Sequence, residues 1–349
     1  MTSVPISGRA VGPGHPCFII AEAGVNHNGE VELATRLIDV AATSGADAVK
    51  FQTFRADRLV SPSASKAAYQ LRATDAGESQ YDMLKRLELS EEAHRQLQAH
   101  CHARGVLFLS TPFDEGSADF LETLGMPAFK IASSELTNGL LLEHVARKAK
   151  PILLSTGMSD AQEVAEAIRI IRQAGSAPVA LLHCVSNYPA DPADANLRAM
   201  RTMTELFQVP VGYSDHTPGI EVALGAVALG ACIVEKHFTL DRTLPGPDHQ
   251  ASLEPGELAA LVRGIRIVEA ALGTGRKEPA PSERDVARVA RRSLVALEDI
   301  PAGASLTEAL VGIRRPGTGL PPSDWSRVIG RRAAVAIPAG TPLQWEALE

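Results

Sequence analysis

VGYSDHTPGIEVALGAVALGACIVEKHFTLDRTLPGPDHQ, residues Val211–Gln250, reads as a strand, a helix and a second strand. Val211–Ser214 is a short apolar run. Thr217 and Pro218 give an N-cap and first-turn signal, Gly219–Leu229 is a helix of small residues, and Cys232–Glu235 begins the next strand. Parallel strands joined in this way carry their C-terminal ends to one face, so His216 and His237, just past equivalent strand ends, are predicted to lie side by side. One such histidine alone is more often an ordinary packed or surface residue. Two at equivalent positions, flanked by Asp215, Asp241 and Asp248, point to a pair of metal ligands.

The same unit recurs along the chain. Apolar runs ending in polar residues occur at Phe18–Ala21, Ala48–Phe51, Val106–Leu109, Ala128–Ile131, Ile152–Leu154, Val179–Leu182, Val211–Tyr213 and Cys232–Glu235. Between them apolar residues recur at helical spacing, as in Val31–Ser44, Ser90–Arg104, Asp160–Ala174 and Glu254–Leu272. Eight such units in about 250 residues make an α/β fold, a (β/α)8 barrel. The segment Arg55–Leu89 is too long for an ordinary connection and predicts a lid or substrate wall on the C-terminal face.

After Leu272 the texture changes to GTGRKEPAPSERD. The barrel is therefore assigned to 1–272, a linker to 273–290 and a short β-patterned module to 291–349. IPAG occurs twice in that module, at Ile300–Gly303 and Ile337–Gly340, which predicts two similar turns. Fewer than about 70 residues make a marginal core, so the module is expected to pack on its own barrel or on a partner subunit.

Composition narrows the function. A net charge of −7 over 349 residues argues against a general nucleic-acid or anionic-membrane surface, and 4% aromatic residues argue against a base-stacking platform. No run of about 18 apolar residues occurs, and MTSVPISGRAVGPGHP lacks the pattern of a secretory leader, so a cytoplasmic location is expected. Cys17, Cys101, Cys184 and Cys232 show no CxxC spacing and fit reduced thiols.

In a barrel of this kind the active site is built from the strand ends and the loops after them. Those ends deliver Glu22, Asn26, His27 and Asn28; Lys50, Gln52 and Thr53; Ser110 and Thr111; Lys130, Ser133, Ser134 and Glu135; Ser155, Thr156 and Gly157; His183, Ser186, Asn187 and Tyr188; Ser214 and His216; and Lys236 and His237. Lys50 and Lys130 are predicted to face inward, where an unpaired ammonium costs several kcal/mol. Something anionic is expected between them, and the hydroxyls of Thr111, Ser133, Ser155 and Ser214 suit a phosphate plus a carboxylate. The alternative pairs Lys50 with Glu22 and Lys130 with Glu135, which leaves those hydroxyls without a task. Two imidazoles leave coordination positions open, which suits Mn²⁺ or Mg²⁺ acting as a Lewis acid, with Glu135, Asp215 and Asp248 orienting the rings or ligand waters. Glu22 remains as a spare carboxylate, and the pocket could join a phosphorylated enol to an aldehyde.

The motifs IIAEAGVNHNG (Ile19–Gly29), VKFQT (Val49–Thr53), STPFD (Ser110–Asp114), FKIASSE (Phe129–Glu135), LSTGM (Leu154–Met158), GYSDHT (Gly212–Thr217), EKHFT (Glu235–Thr239), PGPDH (Pro245–His249) and IRRPGTG (Ile313–Gly319) resemble those of the bacterial sialic acid (nonulosonic acid) synthases. The resemblance implies a TIM barrel followed by an antifreeze-like (SAF) domain, and a homodimer in which that domain swaps over to cover the partner's site. It also implies condensation of phosphoenolpyruvate with an N-acetylmannosamine-type aldehyde, with C–O cleavage, to a nine-carbon 2-keto acid and phosphate. On it, Glu22 is the catalytic carboxylate, and His216 and His237 hold the metal. Lys50, Thr111, Lys130, Ser133, Ser155 and Ser214 take phosphoenolpyruvate, Gln52, Tyr188 and Asp248 contact the open-chain sugar, and Glu135 is counted with the substrate-binding residues. Arg315 reaches across the dimer, with Arg314 as the neighbouring choice.

Ser186 and Asn187 depart from the neuraminate pattern in the sugar pocket. The segments FQTFRADRLVSPSASKAAYQ and ESQYDMLKRLELS are similar to the legionaminic acid branch, which takes a 2,4-diacetamido-6-deoxy mannose. N-acetylmannosamine and that sugar are both retained, with a pseudaminic acid synthase as a third choice. A pyruvate aldolase forming a Schiff base at Lys130 and a non-catalytic carbohydrate-binding barrel are the rival classes.

Overall fold

The computed structural model describes residues 3–75 and 77–349. It divides into two units, residues 1–273 and 274–349.

In the first unit a short antiparallel hairpin, β1 (Val4–Ile6) and β2 (Arg9–Val11), precedes the main sheet. Three-residue strands are too short to show a period, and the sequence reading missed them. The main strands are β3 (Phe18–Gly24), β4 (Ala48–Thr53), β5 (Leu107–Pro112), β6 (Phe129–Ile131), β7 (Ile152–Ser155), β8 (Val179–Cys184), β9 (Val211–Asp215) and β10 (Ile233–His237). All eight anticipated runs are strands. Parallel ladders join them in the order β5-β4-β3-β10-β9-β8-β7-β6, and β5 and β6 lie against each other at the seam of an eight-stranded barrel.

Helices at Val31–Ser44, Glu91–Arg104, Ala161–Ala174 and Pro255–Leu272 cover the barrel. Ser90 and Asp160 cap the second and third by accepting the backbone N–H of Ala93 and of Gln162 and Glu163. The helix after β9 differs from expectation. It runs Glu221–Ala228, and Thr217 is not its cap, because Asp215 Oδ1 takes both the Thr217 backbone N–H at 2.9 Å and its hydroxyl at 2.8 Å. A short acidic side chain that binds the next loop competes with helix initiation.

The long segment between β4 and β5 contains helices at Ala56–Leu59, Ala68–Ala73 and Gln80–Leu87. It carries a small apolar cluster with strand-end residues, Val25, Phe54, Met83 and Leu87, separate from the barrel core.

In the second unit β11 (Ser293–Ala296) pairs antiparallel with β12 (Val311–Arg314) over a small core including Leu294, Ile300, Leu306, Val328 and Leu343. The two IPAG turns meet, since Ile300 and Ile337 exchange backbone hydrogen bonds at 2.8 and 2.9 Å. The segment read as a linker is not featureless. It contains a helix at Arg284–Ala290, and Arg288 O accepts the Gly317 N–H at 2.9 Å, tying the helix to the second unit.

Candidate active site

A cavity of about 480 Å³ opens at the C-terminal ends of the barrel strands. Alternation along each strand decides which polar residues reach it, because successive side chains point to opposite faces. Lys50 and Gln52 of β4, Thr111 of β5 and Lys130 of β6 line the cavity. So do Ser133, Ser155 of β7, Ser186, Tyr188, Ser214 of β9, His216, His237 of β10 and Asp248, with Glu22 of β3. Their sequence neighbours point the other way. Thr53 bonds Ser110 at 2.7 Å and His94 at 2.8 Å, His183 bonds Ala195 O at 2.9 Å, and Lys236 pairs with Asp215 at 2.7 Å. Asn26 ties its loop to Phe238 O and Ser252 at 2.8 and 2.9 Å. The strand ends are thus not one constellation but two, sorted by parity.

The floor is ionic. Lys50 Nζ lies 2.7 Å from Glu22 Oε2, donates to Thr111 Oγ1 at 2.9 Å and stands 3.9 Å from Glu235 Oε1. Lys130 Nζ donates to Ser155 Oγ at 2.6 Å and to Ile131 O at 3.1 Å, and stands 3.8 Å from the same Glu235 oxygen. Glu22, Lys50, Lys130 and Glu235 are all at most 4% exposed. Half of the alternative pairing therefore holds: Lys50 takes Glu22, while Lys130 takes Ser155 and Glu235 rather than Glu135. Both ammonium groups thus have protein partners in the floor while still lining the cavity.

Burial pushes the Glu22 carboxyl above its ordinary range, helped by the Glu235 charge and opposed by Lys50. Burial raises Glu235 too, but the Lys130 and Lys50 ammonium groups outweigh it and hold that carboxyl low. Burial also lowers Lys130, whereas for Lys50 the Glu22 and Glu235 charges outweigh burial and raise it. Beside the lysines, Gly157 N–H donates to Ser133 Oγ at 3.0 Å. A Cβ at Gly157 would run into Ser186 and come within 2.9 Å of Ser133 Oγ and 3.0 Å of Cys184 Sγ, so only glycine leaves this recess open.

The imidazoles of His216 and His237 lie with ring centroids 5.5 Å apart. His216 Nδ1 is 2.6 Å from Val185 O, which assigns its proton to Nδ1 and leaves Nε2 with a lone pair. His237 Nδ1 is buried without a hydrogen-bond partner and 3.9 Å from Asp248 Oδ2. Burial lowers His216 to about 4 and His237 well below its ordinary value, so both rings are neutral near pH 7, the form that ligates metals. Among the described residues no group of three or more His, Cys, Asp or Glu side chains is set for a metal. The orphaned His237 nitrogen and the free His216 lone pair fit a cation that completes its shell with water or substrate. The supporting carboxylates differ from expectation. Asp215 is occupied by Thr217 and Lys236, and Glu135 accepts from Ser134 and from Asn138 Nδ2 at 2.8 Å.

Two further assignments fall outside the cavity lining, and a third lies in the other unit. Glu135 stands behind Ser134, which lines the cavity in its place. Asn187 is exposed, because its neighbours Ser186 and Tyr188 take the inward positions. Arg315 is an exposed residue of the second unit, just after β12. Conversely, Glu235 and Tyr69 line the cavity and were not singled out. Glu235 could have been found from its spacing of two from His237 on one strand. Tyr69, whose ring lies 5.1 Å from that of Tyr188, comes from the insertion and had no local signal.

Residues 37–277 match the NeuB family and residues 291–349 match the SAF domain. The barrel, its ionic floor and the paired imidazoles sit on a chain that belongs to the NeuB family. It is 50% identical to the N,N'-diacetyllegionaminic acid synthase of Legionella pneumophila, over 95% of each chain. It is 38% identical to the human N-acetylneuraminate-9-phosphate synthase, over 95% of this chain and 92% of that one. Among solved structures, the N-acetylneuraminic acid synthetase of Leptospira borgpetersenii, in complex with citrate, superposes with a TM-score of 0.72 at 38% identity, over 82% of this chain and 95% of that chain.

Proposed function

We propose that this chain condenses phosphoenolpyruvate with the open-chain form of an N-acetylated mannose-type sugar, giving a nine-carbon 2-keto acid and phosphate. The sugar we favour is 2,4-diacetamido-6-deoxy mannose, since identity is 50% to the diacetyllegionaminic acid synthase against 38% to the neuraminate-9-phosphate synthase. The observation that carries the reading is the shared floor. Two buried ammonium groups and the hydroxyls of Thr111, Ser155 and Ser214 surround one carboxylate pair beside the imidazoles.

Lys50 and Lys130, with Ser133 and Ser155, hold the phosphate and carboxylate of the enol. His216 and His237 would hold a divalent ion, Mn²⁺ or Mg²⁺, which supplies Lewis-acid polarisation of a carbonyl oxygen when bound. Gln52, Tyr188 and Asp248 orient the sugar so that C3 of the enol forms a bond to the aldehyde carbon. Water then adds to C2, passing its proton to Glu22, and the tetrahedral carbon expels phosphate through its C–O bond. Glu22 suits a base because burial holds its carboxyl above the ordinary range. The reading also includes a cytoplasmic homodimer in which the terminal module of one copy covers the other's site. Exposed Arg314 and Arg315 are the side chains available to reach across.

Product mass after incubation with phosphoenolpyruvate and each candidate sugar tests the reading. Phosphate release requiring both substrates is the expected result, and ligand binding without turnover would overturn it. Chelated protein should lose activity and regain it with Mn²⁺, whereas His216→Ala and His237→Ala should not regain it. Trapping of pyruvate on Lys130 by borohydride would favour an aldolase instead.

A further inference from the structure

The cavity has two unlike sides. The strand ends supply its ions and hydroxyls, and the insertion after β4 supplies an apolar wall. Val25, Leu59, Met83, Leu84, Leu87 and Phe113 line the cavity and also belong to the small cluster distinct from the barrel core. Phe54 backs that cluster, edge-on to Phe113 with ring centroids 6.1 Å apart. A cluster that served only to anchor the insertion would close on itself, but this one turns a face to the cavity.

Among the described residues, no charged side chain of the insertion lines that face. Arg55 pairs with Glu88, Arg58 with Asp114 and Lys85 with Asp57 and Glu88. Of its polar cavity residues, Gln70 Oε1 accepts from Ala67 N at 2.9 Å and from Gln80 Nε2 at 3.3 Å. Tyr69 lies against Tyr188, which in turn packs on His216 with ring centroids 4.2 Å apart.

We infer that this wall reads the non-reacting end of the sugar and selects a methyl group over a hydroxymethyl group at C6, with Leu59, Met83 and Leu84 as specificity-determining residues. The inference rests on the proposed condensation. The aldehyde end must sit beside the lysines and imidazoles, so the far end of an open six-carbon chain extends toward the mouth that the insertion walls. A hydroxyl set against Leu59, Met83 and Leu84 gives up water for side chains that offer it no hydrogen bond, whereas a methyl group loses nothing polar. Apolar pockets reject an added hydroxyl only moderately, by up to roughly a hundredfold, which sets the size of effect to look for.

The test compares N-acetylmannosamine with 6-deoxy-N-acetylmannosamine, which differ by one oxygen, each with phosphoenolpyruvate. Wild type should favour the 6-deoxy sugar by about tenfold to a hundredfold in kcat/KM. Leu84→Gln should shrink that preference to within about threefold, with the KM for phosphoenolpyruvate unchanged, because the new amide can serve the hydroxyl. Leu84→Met, which keeps volume and polarity, should retain the preference. Leu59→Gln, on the same wall, repeats the test if Leu84→Gln does not fold. Equal use of both sugars by wild type, or a ratio unmoved by either Gln variant, would remove the wall's role while leaving the condensation standing. Failure of both sugars and of the diacetamido sugar would overturn the condensation and the inference with it.

Discussion

Two buried ion pairs sit on neighbouring strands of this barrel. Lys50–Glu22 and Lys236–Asp215 have the same nitrogen-to-oxygen distance, 2.7 Å, and every member is at most 3% exposed. They differ in what surrounds them. Asp215 Oδ1 takes both Thr217 groups, and Lys236 Nζ also donates to Thr217 O, so that pair is closed among protein partners. The Lys50–Glu22 pair faces a cavity, and Oε2 of nearby Glu235 is buried there without a hydrogen bond. A satisfied buried pair holds strands together. A buried pair with unmet hydrogen-bonding capacity beside a cavity keeps that capacity for a substrate or for a proton.

The contrast can be broken in four places. Asp215→Ala leaves Lys236 buried and unpaired, which should cost about 3–5 kcal/mol of unfolding free energy in urea titration; the apolar pair Asp215→Leu with Lys236→Met should recover most of it. A cost below about 1 kcal/mol would show that the closed pair is not structural. Glu22→Gln should do the reverse. Turnover falls at least about a hundredfold, the range of a positioned base, while phosphoenolpyruvate binding and stability change little. Wild-type turnover would end the role assigned to Glu22.

The third test is pH. Burial raises the folded-state pKa of Glu22, so between the unfolded value of about 4.3 and the folded value the folded chain keeps a proton that the unfolded chain releases. The Glu22 contribution to stability therefore falls as pH rises through that window, while the fraction of Glu22 able to act as base grows. Across that window the unfolding free energy of wild type should drop relative to that of Glu22→Gln as pH rises. The slope common to both proteins combines Asp248, which burial lifts to about 6 against the opposing Lys50 charge, with the buried His27, His216, His237 and His249, whose lowered pKa values contribute in the opposite direction. Equal slopes in both proteins would show that Glu22 is not perturbed. The smallest effect is expected for Asn187→Ala, where an exposed side chain outside the cavity should change stability by no more than about 0.5 kcal/mol. A large rise in the KM for sugar would return Asn187 to the site.

Periodicity alone was enough for the barrel, because each strand is an apolar run buried on both faces and each covering helix repeats at its own spacing. The two histidines at equivalent strand ends were legible for the same reason, since a ladder carries register from β9 to β10. The inventory of strand ends pointed to Glu22, Lys50, Lys130 and the hydroxyls, and motif resemblance then gave them roles. What the linear reading blurred was parity: Ser110, His183 and Lys236 stood in the inventory beside Thr111, Ser186 and His237, although their side chains leave on the other face. Glu235 went unnoticed because a lone strand glutamate looks like any other until two lysines from distant strands converge on it.

The sequence by itself determined the strand order, the helical spacing of the segments from Ser90 and Asp160, and which residue types meet at the barrel mouth. These follow from local spacing and from the single handedness open to strand–helix–strand units. Only the tertiary structure decided which carboxylate each ammonium faces, that Glu135 stands behind Ser134, and that the insertion turns an apolar wall toward the cavity. Pairing and burial depend on groups far apart in the chain, and their energies arise only once water has been excluded between them.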